Sequence, residues 1–388
     1  MKITEYRKLL LFLLLVVGAG LLTLYGAIKI IPIVILLYMY YKWVYPSFKI
    51  ASKGNCWLMA YMTFNVFLIL RCCFYDSNEG ALGNWLLSLI GNIDVGLPVL
   101  LMPMLMGITF KDNFSSNFLK VCKILIYLNM VVSCLCILGI ALPYANDFLM
   151  TSVFLSIPYY LRIDRKLIWL AVILVLYRDM IDGERSMFIS LILTFGLTVV
   201  LTKIPGFKNI YIIACLYGMV GITIFLLFFN LYVQEDFFSW LTTSYGDNEV
   251  VGDNTRSFLF FEIIEDFNKN SAWVWGKGIF GTYFSQVMFD AKSRGDHVDN
   301  MNRLITECGW LLLLLKGGLV NVCLYASTQI YSMIGAIKKK NGLLNVCVII
   351  LSVHFMMMFV SNSIYFDLPN VLYWIVAGMC LTNKINIQ

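Results

Sequence analysis

About twelve apolar stretches follow one another along this chain with little polar sequence between them, and that succession excludes a water-soluble globule before any motif is considered. Hydrophobic residues make up 60% of the sequence and charged residues 13%, whereas soluble domains hold about 45–50% and about 25%. A hydrocarbon layer roughly 30 Å thick is crossed by about 17–25 helical residues, and only helices or closed barrels satisfy their own backbone there. The apolar runs lack a period of two, which selects helices over a barrel. The expected fold is an all-α polytopic membrane protein, a single domain over 1–388. Its spans are expected near 9–28, 30–45, 55–73, 93–110, 121–143, 147–161, 167–178, 187–202, 209–233, 309–336, 343–361 and 368–382. The short segment 83–92 reads as an interfacial helix.

Basic residues orient this bundle. With the N-terminus inside, Arg7, Lys8, Lys42, Lys111, Lys120, Lys123, Arg165 and Lys338 to Lys340 fall in cytoplasmic segments, while the short outer ones keep Lys29, Arg71, Arg178 and Arg185. That bias puts both termini in the cytoplasm and the polar segment 234–308 outside. The formal charge of +6 is thus an orientation signal and gives no reason to expect a nucleic-acid partner. The first twenty residues lack a convincing cleavage site and read as a retained helix. The eleven cysteines lie mostly in apolar runs, where Cys behaves as a small hydrophobe.

The outer loop, 234–308, holds twelve acidic residues against six basic ones. Asp253-Asn254-Thr255 offers cap chemistry to a helix from Arg256 to Asn268, with Glu262, Glu265, Asp266 and Lys269 expected on a polar face opposite Phe260, Phe261, Ile264 and Phe267. Gly276-Lys277-Gly278-Ile279-Phe280-Gly281 lacks the Lys-Ser/Thr of a nucleotide loop and reads as a tight bend where backbone approaches backbone or substrate. The run from His297 to Glu307 leads into the tenth span. If helical, it sets His297, Asn300, Leu304 and Glu307 on one face and lets Asp299 pair with Arg303.

Three cationic groups stand out against this acidic loop. Arg256, at a helix start, adds a guanidinium fork to free N–H groups, an arrangement suited to clamping a phosphate or diphosphate; a surface ion pair with Asp253 or Glu249 is the plainer alternative. Arg185 stands at the outer mouth of the eighth span, with Arg178 close by, where snorkelling anchors are also common. His297 is one of two histidines, and an imidazole near neutral pH can take a proton from a hydroxyl. The other, His354, lies mid-span and reads as a hydrogen-bonded packing residue. Asp94, Lys316 and His354 are the ionisable residues inside spans, and no connected path is expected among them.

In order and topology these pieces resemble the O-antigen polymerase (Wzy-type) and O-antigen ligase superfamily. The likeness rests on Gly183-Glu184-Arg185-Ser186 opening a span and on Asn254-Thr255-Arg256-Ser257 followed by Trp275-Gly276-Lys277-Gly278. His297-x-x-Asn300, Glu307-Cys308-Gly309 and Leu315-Lys316-Gly317-Gly318 complete it. The ligase branch sets its His and Asn closely, whereas two residues part His297 from Asn300, a departure that favours the polymerase branch.

The resemblance implies a GT-C-like, metal-independent glycosyltransferase of the bacterial inner membrane that needs no cofactor. It would take undecaprenyl-diphosphate-linked oligosaccharides as donor and acceptor, with membrane lipid around it and a chain-length regulator and flippase as partners. Arg185 and Arg256 would hold the diphosphate, and His297 or Glu307 would act as base. Arg178, Asn300, Arg303 and Lys277 would complete substrate binding. A ligase acting on lipid A-core, or a polysaccharide exporter, is the alternative.

Overall fold

A computed structural model of the chain describes residues 4–21, 30–75, 82–140, 145–160, 163–182, 185–203, 257–293, 301–339, 341–359 and 364–382, with Gly218 and Gly221. Apart from Gly218 and Gly221, the expected ninth span at 209–233 and the first part of the outer loop, 234–256, lie outside the described residues, as do 294–300.

The described residues form fourteen α-helices and one two-stranded ladder. In chain order the helices are α1 Glu5–Leu21, α2 Ile30–Ser52, α3 Cys56–Tyr75, α4 Leu82–Gly91, α5 Leu97–Leu101, α6 Phe114–Ile137 and α7 Ala145–Ser156. They continue with α8 Arg165–Asp182, α9 Arg185–Lys203, α10 Ser257–Asn270, α11 Gln286–Ser293, α12 Gly309–Lys338, α13 Gly342–Met357 and α14 Leu368–Leu381. The strands are β1 Tyr283–Phe284 and β2 Asn302–Arg303. By length and composition, α2, α6 and α12 are long and apolar enough to cross a membrane; Cys56–Arg71, Leu97–Phe110, Phe148–Tyr159, Phe188–Thr202, α13 and α14 are apolar but shorter. The all-α class therefore stands, and α4 is the short helix expected at 83–92.

Local chemistry explains where the helices depart from regularity. In α2 the turn Tyr40–Val44 is π-helical, with the Tyr45 N–H reaching back to Tyr40 O. Pro46 follows at once; it has no N–H and its ring would press on the carbonyl four residues earlier, that of Lys42, so the ladder widens there. The stretch expected as a span at 93–110 is only one α turn, α5, followed by a tighter 3₁₀ run, Met102–Phe110. Its glycine explains the close crossing it makes: a Cβ on Gly107 would lie 2.4 Å from Phe48 N. A Cβ on Gly378 of α14 would likewise lie 2.6 Å from Met106 O. Small residues here let backbones touch.

Polar groups tie other helices together. Asn129 of α6 donates to Leu149 O at 2.9 Å and to Ser152 Oγ at 2.6 Å on α7. At one end of the bundle Glu5 accepts from Lys8, Lys111 and Trp43, which pull its carboxyl down to about 2 against the opposing effect of burial. Lys339 closes α14 by donating to the carbonyls of Cys380, Leu381 and Thr382 at 2.7–2.9 Å. The described parts of the polar segment, 257–293 and 301–308, are joined to the first half of α12 by hydrogen bonds to residues 315–320.

Candidate functional site

The centre of interest is a break in α12, formed where the sequence reads Lys316-Gly317-Gly318. Gly318 takes φ 64° and ψ −163°, a conformation essentially confined to glycine. Such a break strips helical partners from the carbonyls of Leu315 and Lys316 and from the N–H groups of Leu319 and Val320. Left bare in an apolar interior, each would cost about 1–3 kcal/mol.

The turn expected at Gly276–Gly281 supplies those partners. Lys277 N donates to Leu315 O at 2.9 Å and Gly278 N to Lys316 O at 2.8 Å, while Leu319 N and Val320 N donate to Trp273 O and Val274 O at 2.8 and 3.3 Å. Backbone thus meets backbone, as the glycines suggested. A Cβ on Gly276, itself at φ +61°, would lie 2.5 Å from the nitrogens of Gly317 and Gly318. Arg71 of α3 locks the turn from below, donating through Nε and Nη2 to Gly276 O at 3.0 and 2.7 Å. Trp275 rests against Phe64 and Phe67 of the same helix.

Around this clasp the described parts of the loop fold back on one another. β1 and β2 pair antiparallel with Tyr283 opposite Arg303, and Ser285 N extends the ladder to Met301 O. Leu259, Phe260, Ile263, Ile264 and Phe267 of α10 are buried. Glu265 and Lys269 form an exposed pair at 2.6 Å. Glu262, expected on that polar face, points inward instead and is 9% exposed. Its Oε1 accepts from Ser285 Oγ at 3.0 Å and Val287 N at 3.1 Å, and Oε2 has no hydrogen-bond partner. Burial raises its carboxyl above the ordinary range; those two donors and the charge of Arg303 oppose the rise. Tyr283 is also buried, with its hydroxyl unpartnered and its ionisation pushed up by burial. Arg303 Nη2 approaches Glu307 Oε1 at 3.5 Å, and Glu307 is half exposed at the rim.

Directly beneath lies a half-open cavity of about 40 Å³, walled by α3, α12, residues 94–100, Ile279 and Ile364. Lys316, 7% exposed, stands in its wall and donates to Gly281 O at 2.8 Å and Leu304 O at 2.6 Å, joining cavity to loop. Asp94, Asn65 and Asn321 contribute the other polar groups. Asn65 donates to Leu100 O and Asn321 to Leu313 O, both at 3.0 Å.

Four expectations meet the structure differently. Arg303 and Glu307 are brought together at the rim. Lys277, expected to bind substrate, is turned inward, 2.5 Å from Asp266 Oδ2 and donating to Thr282 O at 2.9 Å, so the carboxylate and the carbonyl hold it against α10. The residues before α12 are not helical: β2 occupies Asn302–Arg303 and the helix begins at Gly309. The backbone of 302–303 pairs with β1 rather than with itself, so the expected helical face joining Leu304 to Glu307 does not form. Asp94 and Lys316, read as unconnected, line one cavity.

Of the remaining candidates, Arg185 is the first residue of α9 and its side chain lies outside the described residues. Arg178, near the end of α8, lines a second, smaller cavity with Ser133, Cys136 and Tyr177. Arg256, His297 and Asn300 lie outside the described residues. Sequence reasoning missed Glu262, Tyr283, Asn65 and Asn321. Lys316 carried a usable signal, an ionisable residue inside an apolar run beside two glycines. No family model, curated protein or solved structure matches this chain.

Proposed function

We propose that the chain is a membrane-embedded, metal-independent glycosyltransferase that joins undecaprenyl-diphosphate-linked oligosaccharide repeats into O-antigen or a related surface polysaccharide on the periplasmic face of the inner membrane. One observation carries this reading. The polar loop is fastened by backbone hydrogen bonds into the break of a long apolar helix, which fixes the Arg303–Glu307 pair and buried Glu262 at the edge of the bundle. A lipid-linked sugar needs such an edge, with its anchor among acyl chains and its glycan in water. A rigid support there supplies the orientation on which group transfer depends.

In this mechanism Arg185 and Arg256 hold the diphosphate of the donor and stabilise the charge that grows as it departs. The acceptor hydroxyl oxygen attacks the anomeric carbon, and the bond from that carbon to the diphosphate oxygen breaks. The hydroxyl proton passes to His297, or to Glu307 where that carboxylate is the base. Arg303, Asn300 and Arg178 orient the substrates. A transport reading has one observation in its favour, the presence of Lys316 and Asp94 inside the bundle.

Lipopolysaccharide banding of a deletion strain separates these readings. Loss of a polymerase leaves single capped repeats, loss of a ligase leaves bare core, and loss of an exporter removes repeats from the surface. Complementation with His297→Ala tests the base. Arg185→Lys and Arg256→Lys should each cut chain extension by about tenfold or more, because lysine keeps charge but loses the two-pronged contact. A normal ladder with both lysine variants rejects the diphosphate clamp.

A further inference from the structure

The cavity under the loop contains an acceptor that no described residue satisfies. Asn321 is 3% exposed, lines the cavity, and its Oδ1 has no hydrogen-bond partner. The orientation of its amide is fixed by chemistry: Nδ2 donates to Leu313 O at 3.0 Å, and exchanging the two atoms would set oxygen against oxygen. An orphaned buried acceptor normally signals an absent donor.

The walls decide what kind of donor. Lys316 brings a positive charge to the cavity and Asp94 a negative one, so neither an anion nor a cation is matched by its surroundings. A neutral group rich in O–H donors fits both. Tyr61, Leu68, Val99, Leu100, Leu312 and Ile279 make the remaining surface mostly apolar, as in sites that recognise the faces and edges of neutral ligands. Size narrows the choice further. A space of about 40 Å³ exceeds the roughly 10–15 Å³ that admits a single water, so more than one hydroxyl can enter it together.

We propose that this cavity is a subsite for the hydroxyl-bearing edge of one neutral sugar residue, with Asn321 Oδ1 and the Asp94 carboxylate accepting from its hydroxyls and Lys316 holding the loop above it. The choice of a sugar rests on the function proposed above; the cavity, its orphaned acceptor and its two opposed charges do not. Lys316 bonds Leu304 O, so a sugar seated here lies beneath the strand that carries Arg303 and within the same fold unit as Glu307. The subsite thus serves the acceptor, presenting its next hydroxyl toward the rim.

Saturation-transfer NMR on the full chain in nanodiscs, with a panel of methyl hexosides and methyl N-acetylhexosaminides as probes, tests this without requiring turnover. At least one glycoside should receive saturation, strongest on protons along one ring edge. Asn321→Leu should weaken its binding about tenfold. Val99→Phe fills the cavity and disturbs no polar contact, so it should abolish binding while leaving thermal unfolding near that of the parent protein. Failure of every glycoside to bind overturns the proposal and leaves ordered water as the occupant; so does binding that both variants leave unchanged. Glycoside binding lost in Val99→Phe, in a protein whose deletion leaves polysaccharide banding intact, would retain the subsite and reject the glycosyltransferase.

Discussion

At the scale of single residues, burial and charge diverge at Glu262. Its neighbours in sequence, Glu265 and Lys269, are exposed and paired as a helical polar face requires. Glu262 is instead covered by Ser285 and the start of α11, a contact made across more than twenty residues that no periodicity encodes. A carboxyl whose folded pKa is raised above its ordinary 4.5 contributes stability that is fully present below that value and lost as pH rises through the folded one. Thermal unfolding of the parent protein should therefore shift downward across that window. Glu262→Gln keeps an acceptor for Ser285 and Val287 but cannot ionise, so it should be the more stable protein at neutral pH and show a flatter profile. Identical profiles would mean that Glu262 carries no such penalty. His354 was readable from sequence as a packing residue, and it stacks on Tyr373 with ring centroids 3.6 Å apart and bonds Tyr325 OH at 3.0 Å. Its other ring nitrogen, Nδ1, is buried with no hydrogen-bond partner among the described residues.

At the scale of elements, the sequence displayed both halves of the clasp without their union. Gly276 to Gly281 announced a close backbone approach, and Gly317-Gly318 interrupted a long apolar run. That the two would pair depends on tertiary geometry, because the hydrogen bonds join segments about forty residues apart. The same limit explains 301–308, where helical spacing was visible but pairing with β1 prevailed. Gly318→Ala should be among the most damaging small substitutions in the chain: its Cβ would meet Val274 C and O at 2.4 Å from a backbone conformation alanine avoids. A loss of about 3 kcal/mol or more is expected, seen as aggregation or a lowered unfolding temperature in detergent. Gly342→Ala, in open space at the start of α13, is the matched control and should be nearly neutral. Equal behaviour of the two variants would disprove the steric account.

For the whole molecule, composition and the length of apolar runs made the helical class legible. They did not reveal that several apolar stretches are helices too short to cross a bilayer straight, such as α13 with 16 residues and α14 with 14. Helix length follows caps and neighbours as much as hydropathy: Asn341 accepts from Leu343 N to start α13, and Asp367 accepts from Asn370 N to start α14. The distribution of lysine and arginine predicts opposite sides for the loop and for Lys339. Reporter fusions that are active only outside the cytoplasm should be active after Lys269 and silent after Lys339; the reverse pattern would invert the proposed orientation. The clasp also has a meaning for how the chain is made. Residues 273–278 leave the ribosome before 315–320, and domains assemble in step with synthesis. The grip therefore exists before the helix it seizes, so the bend at Gly318 can be received as it emerges, and its backbone groups need never wait unmatched among lipids.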